Sequence, residues 1–441
     1  MRVLVIGGNP AGMSAASRIK RKSPDTEVWV LEKTEEVSYG ACGLPYYVAG
    51  INDDIDLIRI RKKAEFVASG IHVQLGREAV SADFRGKFVT ARLSDGGEEC
   101  YSYDKLVIAS GSSPKAPPIP GIGLKNIFQL KTLPDAQGLK DALAESGGDV
   151  VIVGGGYIGL EVAEACLHRR VRSVRVVEAL PRVLNVFDPE FSAAAQAELE
   201  AQGASVHTKE AVRRFLGQDG RVTGVETDQG TYPADVVVLS IGVSPNTAWL
   251  DGLEKLPNGA IVTNGAMETS VPDVYAAGDC ASVMHRLLKK PVYFALGTNA
   301  NKQGRLAGDS VLGRPATLER ALGTSMLRCA GLELAKTGLG EEDAKREGIA
   351  CRTKVVKTRS HARYYPDPCE LTVKLVVREA DNVLLGAQIM GAREAVWRIN
   401  VFACAIDRGM TAEELGCLDM GYAPPFAGVW DAVQIAANAV K

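Results

Sequence analysis

No apolar run in this sequence approaches the roughly 18 residues that a membrane-spanning helix needs, so no membrane partner is expected. Charge is not skewed either. The 51 Lys+Arg and 53 Asp+Glu leave a net charge of −2, which gives no footprint for nucleic acid or for an anionic membrane surface. No Cys-x-x-Cys pair occurs, and the nine cysteines are odd in number and scattered. That pattern argues against a disulfide framework and a zinc site, and no metal is expected. No secretory leader is expected, since Met1-Arg-Val-Leu-Val-Ile-Gly runs directly into a strand pattern. Together with the cysteine usage this points to a reducing, cytoplasmic setting.

What the chain has in quantity is glycine: 46 residues of 441, above the roughly 7% of average usage. The length suits two or three domains. The first glycine motif follows the β-branched run Arg2–Ile6. It reads Gly7-Gly-Asn9-Pro-Ala-Gly12, with a helical pattern over 13–22 and a second strand, Val28–Leu31, that ends in Glu32. Strand, glycine turn, helix, strand and terminal acid form a dinucleotide-binding unit, although Asn9 stands where the middle glycine is usual. Gly7 and Gly12 would let the backbone approach a pyrophosphate at the helix N-terminus, and Glu32 would bind ribose hydroxyls.

Directly after this unit comes Ser38-Tyr-Gly-Ala-Cys42-Gly-Leu-Pro45-Tyr-Tyr47. Its position makes Cys42 a redox thiol beside the bound cofactor. A mostly helical, basic segment is expected over 55–70, then strands near 73–75, 79–81 and 87–90. The run Tyr103–Gly111 reads as a buried strand whose last residue, Gly111, reaches a cofactor edge. The proline-rich stretch 114–121 marks a boundary.

The second motif is complete. Strand Asp149–Val153 leads into Gly154-Gly-Gly156-Tyr-Ile-Gly159, a helix bearing Glu161 and Glu164, and a strand, Val174–Val177, that ends in Glu178. An acid there favours a ribose with a free 2′-hydroxyl, hence NADH, while Arg175 and Arg182 keep NADPH open. Strand 236–240, the Gly278-Asp279 turn and a helix near 300–305 suggest that the first unit is interrupted by the second and completed after it. These similar halves are the repeat in the chain. From about Gly323 the character changes to α+β. Antiparallel strands are expected over 371–377 and 384–390, and helices over 393–407, 411–415 and 431–440. Two aromatic clusters, 361–366 and 420–426, lie in this part.

This order of motifs resembles the flavin-dependent pyridine-nucleotide disulfide oxidoreductases over essentially the whole chain. Within them it is similar to the single-cysteine branch, which holds coenzyme A disulfide reductases, NAD(P)H persulfide or polysulfide reductases, NADH oxidases and NADH peroxidases. Members with a redox disulfide carry a second cysteine five places after the first; here that place is Tyr47. The resemblance implies an α/β fold of two Rossmann-like three-layer domains plus a C-terminal α+β dimerisation domain. The expected division is FAD-binding 1–115 and 244–321, NAD(P)-binding 116–243, and dimer interface 322–441, with a homodimer as the working form.

By the same resemblance, FAD contacts fall on Gly7, Gly12, Glu32, Lys33, Gly111 and Asp279. Contacts to NADH or NADPH fall on Gly154, Gly156, Gly159 and Glu178, with Glu161 or Glu164 near the nicotinamide. The implied reaction moves a hydride from the nicotinamide to the flavin and on to sulfur at Cys42, whose thiolate forms a mixed disulfide with the substrate. Partner-subunit tyrosines, matched by Tyr422 and by Tyr364 in preference to Tyr365, would protonate or orient the leaving thiolate. The substrate would be a disulfide, persulfide or polysulfide, with coenzyme A as its carrier or as a bound ligand. Arg18 and Arg21 match the family's phosphate contacts, and Ser38 is a further substrate contact. The peroxidase and oxidase histidine is replaced by Pro10, which cannot exchange protons, so sulfur is favoured over oxygen. The alternatives are an NADH oxidase or peroxidase and a non-enzymatic flavin redox sensor; the intact second motif speaks against the sensor.

Overall fold

The computed structural model describes residues 1–314, 317–318 and 321–440. It divides into two compact units. One comprises Met1–Leu44, Asn52–Lys115 and Val243–Ala321, the other Pro45–Ile51, Ala116–Gly242 and Leu322–Lys441.

At the centre of the first unit is a parallel sheet in the order Val274–Ala276, Lys105–Ile108, Arg2–Ile6, Glu27–Leu31, Ile71–Gln74. The run Val3-Leu4-Val5-Ile6 shows why it is covered on both faces. Side chains alternate across a sheet, so four consecutive apolar residues need cover above and below. Val3 and Val5 pack with Met13 and Ile19, whereas Leu4 and Ile6 pack with Leu106 and Ile108. The helix Pro10–Lys22 supplies the first cover. It begins with proline, whose missing N–H is not needed in a first turn, and ends on Lys20, Arg21 and Lys22, which suit the negative helix end. It lies along the helix Gly297–Val311. The approach is close enough that a side chain on Gly304 would meet the Ala11 carbonyl oxygen at 2.1 Å. The strand Ser112–Pro114 pairs antiparallel with Val243–Pro245, where the chain leaves and re-enters the unit. The expected helical segment over 55–70 is a 3-10 turn, Ile55–Ile58, and a short helix, Lys63–Ala68.

The second unit holds two sheets of five strands. One is parallel, in the order Ala204–Thr208, Ser173–Glu178, Asp149–Val153, Val236–Leu239, Ile127–Phe128. The other is antiparallel, in the order Ser325–Cys329, Leu332–Gly338, Leu384–Gly391, Glu370–Arg378, Cys351–Arg359. Two of these antiparallel strands were expected from the sequence. Cys351–Arg359 escaped because it is an edge strand, CRTKVVKTR, with no buried residue and rich in charge, which is how edges resist pairing with other chains. The helix expected over 393–407 starts later, at Ile399 after a 3-10 turn, because Glu394 takes a left-handed backbone (φ 63°).

One feature of the antiparallel sheet departs from simple burial. Lys374, in the middle of Glu370–Arg378, is 3% exposed. Its ammonium lies 2.9 Å from Asp188, 2.8 Å from Glu190 and 2.9 Å from Glu341. Burial disfavours that charge, but the three carboxylates outweigh burial and hold its pKa above that of an ordinary lysine. Removing the lysine would leave the buried Asp188 carboxylate without its 2.9 Å ammonium partner. Among the described residues no helix is long and apolar enough to cross a membrane.

Candidate active site

Both glycine motifs form the same turn. Gly7 and Gly154 take positive φ, +107° and +105°, and their N–H groups donate to the Leu31 and Val177 carbonyls, each at 2.8 Å. A side chain at Gly12 would meet the Gly7 oxygen at 1.9 Å, and one at Gly159 the Gly154 oxygen at 2.0 Å. Glycine at these places lets the helix sit down on the turn. Each terminal acid then grips its own turn. Glu32 accepts from the Gly8 N–H (2.7 Å) and the Thr34 N–H (2.8 Å). Glu178 accepts from the Gly155 N–H (2.6 Å) and the Leu180 N–H (2.8 Å). Neither following helix has a side-chain cap or an acid in its first turn, so the positive helix end is left for an anionic group. A Cβ at Gly156 would meet nothing within 4 Å. The second turn therefore presents bare backbone to open space at Gly156, whereas Asn9 stands at the matching place in the first.

Around the first turn the fold gathers the other expected residues of that unit. Gly278 lies against Ala11, with 2.8 Å to an added Cβ, and its N–H donates to Gln303 Oε1 at 2.8 Å. Asp279 Oδ2 accepts from the Ser112 hydroxyl at 2.9 Å, next to Gly111. Tyr293 donates its hydroxyl to the Asp279 carbonyl at 3.0 Å. Lys33 is exposed beside Glu32. Gln303, Ser112 and Tyr293 were not foreseen; each meets the Gly278–Asp279 turn from at least 14 residues away.

Cys42 is exposed, in the 3-10 turn Ala41–Gly43, and the helix Leu44–Ala49 follows at once. The segment before it is tied to the first turn. The Ser38 N–H donates to the Gly8 carbonyl at 2.9 Å, and the Tyr39 N–H donates to Asn9 Oδ1 at 3.1 Å. On its other side Gly40 N–H donates to Ile58 O and Ile60 N–H to Ser38 O, both at 2.9 Å. All nine cysteines are thiols, with no disulfide. Tyr47, at the place of a second redox cysteine, is buried, hydrogen-bonded to Gln137, and lies under the Lys140 ammonium at 3.9 Å from its ring.

Tyr364 and Tyr422 are in the other unit, 58 residues apart in sequence, and their exposed hydroxyls are hydrogen-bonded to each other. That bond raises the pKa of the Tyr422 hydroxyl, so it stays protonated at neutral pH. Tyr365 instead packs edge-on against His361 at 5.6 Å. His361 is buried and holds the Pro366 carbonyl (3.0 Å) and the Ser360 hydroxyl (2.9 Å), so it shapes the loop. Arg398 joins the two tyrosine loops. It donates to the Ser360 carbonyl (2.7 Å), the Phe426 carbonyl (3.1 Å) and Asp431 Oδ2 (2.9 Å). Nothing in the sequence marked it.

The charged candidates separate clearly. Arg18 is engaged by Asp309 through two bonds of 2.8 Å, so its guanidinium already has an anion within its own unit. Arg21 is exposed at the helix end. Arg175 stacks on the Tyr232 ring at 4.4 Å. It is three places before Glu178 on one strand and so faces the opposite side. Arg182 is ion-paired with Glu342. On the helix Tyr157–His168, burial pushes the Glu161 carboxyl up to about 7, and Glu164 adds to the shift.

Comparison with known proteins agrees with this geometry. A family model described as pyridine nucleotide-disulphide oxidoreductase matches residues 1–304, and the model for that family's dimerisation domain matches 328–433. The chain is 39% identical over 442 residues to a Pyrococcus abyssi protein named NAD(P)H sulfur oxidoreductase (CoA-dependent), covering 100% of this chain and 98% of that one. It is 33% identical over 443 residues to an NADH oxidase of Enterococcus faecalis, covering 100% and 99%. A solved NAD-dependent persulfide reductase from A. fulgidus superposes with a TM-score of 0.96 at 35% identity, covering 99% of this chain and 82% of that one.

Proposed function

The chain belongs to the pyridine nucleotide-disulphide oxidoreductase family, and we propose that within it the protein reduces a sulfur–sulfur bond of coenzyme A disulfide, coenzyme A persulfide or polysulfide with NAD(P)H. The observation that carries this reading is the exposed Cys42 thiol with a buried, hydrogen-bonded tyrosine in place of a second redox cysteine. Such a site cannot close an internal disulfide, so the second sulfur must come with the substrate. The similarity to a CoA-dependent sulfur oxidoreductase and to a persulfide reductase supports the same choice.

FAD, the family's flavin, fits the first turn: Gly7, Gly12, Glu32, Lys33, Gly111 and Asp279 would hold it. When bound it supplies a two-electron carrier between reduced nicotinamide and sulfur. Gly154, Gly156, Gly159 and Glu178 would hold the nicotinamide nucleotide. With Arg175 turned to Tyr232 and Arg182 paired with Glu342, the acid at 178 favours NADH. The segments 1–115 with 244–321, 116–243 and 322–441 then serve as FAD, NAD(P) and dimer-interface domains.

The Cys42 thiolate attacks the substrate disulfide, forming a Cys42–sulfur bond as the old sulfur–sulfur bond breaks. The departing thiolate takes a proton from the hydroxyl pair, the partner subunit's Tyr422 hydrogen-bonded to the partner's Tyr364. Two electrons drawn from NAD(P)H and one proton then release the second thiol and restore the Cys42 thiolate. Overall, NAD(P)H, one proton and RSSR′ give NAD(P)⁺, RSH and R′SH. Arg21 and Ser38 are the remaining candidate contacts to the carrier; Arg18 would have to exchange Asp309 for a phosphate.

The test is NADH consumption with each sulfur substrate and with oxygen alone, in wild type and Cys42→Ser. Loss of sulfur-dependent turnover by roughly 100-fold or more is expected, with flavin retained. Full sulfur reduction by Cys42→Ser would overturn the reading, and fast wild-type turnover on oxygen alone would replace it with an NADH oxidase.

A further inference from the structure

We propose that Asn9 is a positioning residue for Cys42: its side-chain carbonyl takes the place of a glycine hydrogen in the first turn in order to anchor the cysteine segment at Tyr39. The inference rests on the reading of Cys42 as the reacting thiol.

The second turn provides the control within the same molecule. After each terminal acid the chain folds back onto its turn in the same way. Val37 and Val183 press on Gly8 and Gly155, at 2.7 and 2.6 Å from an added Cβ. The next residue, Ser38 or Leu184, takes a left-handed backbone (φ 51° and 45°) and donates its N–H to the Gly8 or Gly155 carbonyl, at 2.9 and 2.8 Å. A left-handed non-glycine residue costs on the order of 1 kcal/mol, so both segments are held against a mild strain. The copies part at the next residue. In the second copy Gly156 has no side chain to offer. In the first copy the Tyr39 N–H is bonded to Asn9 Oδ1 at 3.1 Å, and Cys42 follows three residues later.

The position of Asn9 gives that bond leverage. Asn9 is the residue before the helix Pro10–Lys22, in extended conformation (φ −108°), and its side chain does not cap that helix. Asparagine is favoured at such a position because it can cap; here the capping atom is spent on Tyr39 instead. The Tyr39 backbone also bridges to Arg59, and Tyr39 is buried. The anchor therefore fixes the cysteine segment between the glycine turn on one side and residues 58–60 on the other.

Restoring the motif glycine, Asn9→Gly, is the direct test, in the flavin-loaded full-length protein. Amide hydrogen exchange over 38–43 should quicken roughly tenfold, the loss of about one hydrogen bond. Turnover of the sulfur substrate should fall roughly 10- to 100-fold more than turnover of an artificial dye that takes electrons without Cys42. Asn9→Asp keeps the acceptor oxygen, so exchange over 38–43 should stay near wild type while flavin affinity weakens from the added charge. Wild-type exchange and wild-type sulfur turnover in Asn9→Gly would overturn the proposal, as would equal losses in sulfur and dye turnover. A Cys42→Ser protein that still reduces sulfur would instead remove the functional reading, and the exchange data alone would then judge the anchor.

Discussion

At Gly7–Gly12 and at Gly154–Gly159 one set of contacts is made twice with different residues. The positive-φ glycine, the glycine under the helix, the acid gripping the turn and the valine folded back on it all recur, and for the last three the paired distances agree within 0.1 Å. The copies differ where a ligand or a neighbouring segment can reach. Asn9 answers Gly156, and Ser14 and Ser17 answer Glu161 and Glu164. What holds a turn has been kept, because a Cβ there would overlap a carbonyl oxygen. What lies outside those contacts has diverged, and the first copy alone runs on into the cysteine segment.

The strongest way to break this comparison is to spoil each turn in the same manner. Valine at Gly12 or Gly159 overlaps a backbone oxygen, a strain on the order of 3 kcal/mol or more, so both proteins should melt earlier. Their defects should differ: Gly12→Val loses flavin absorbance, while Gly159→Val keeps it and loses NADH-driven reduction. Flavin loss from Gly159→Val would show that the copies do not divide the cofactors as proposed.

A smaller effect tests the acids on the second helix. The Glu161 pKa is about 7 in the folded protein, against an ordinary 4.5. Between those values the folded state holds a proton that the unfolded chain has released, so stability falls as pH rises through the window. Glu161→Gln removes that loss. Relative to wild type it should be nearly unchanged near pH 4 and more stable at pH 8, by about 3 kcal/mol. Denaturant midpoints at the two pH values measure it, and a difference independent of pH would contradict the burial argument.

The mildest change makes the second copy imitate the first. A Cβ added at Gly156 meets no atom within 4 Å, so Gly156→Asn should spare folding. The new side chain would enter the space of the nucleotide, and the KM for NADH should rise about tenfold with flavin content intact. An unchanged KM would mean that the open space at Gly156 is not where the nucleotide lies.

The sequence by itself determined the two turns, the parallel strands around them and the single thiol. These depend on local rules: strand alternation, helix starts, the need for glycine where backbone meets backbone, and the identity of residue 47. The resemblance singled out Tyr422 and, in preference to Tyr365, Tyr364 within the aromatic clusters. Only the tertiary structure decided which of these groups touch. The Tyr364–Tyr422 hydroxyl pair spans 58 residues and the Arg18–Asp309 pair 291. Arg398 has no motif, yet it ties loops at 360 and 426. In the sequence Asn9 departs from the fingerprint; in the fold its oxygen accepts from the Tyr39 amide, 30 residues on. Such pairs leave no periodicity in the chain, because their geometry is set by how separate elements pack and not by the conformation of either one.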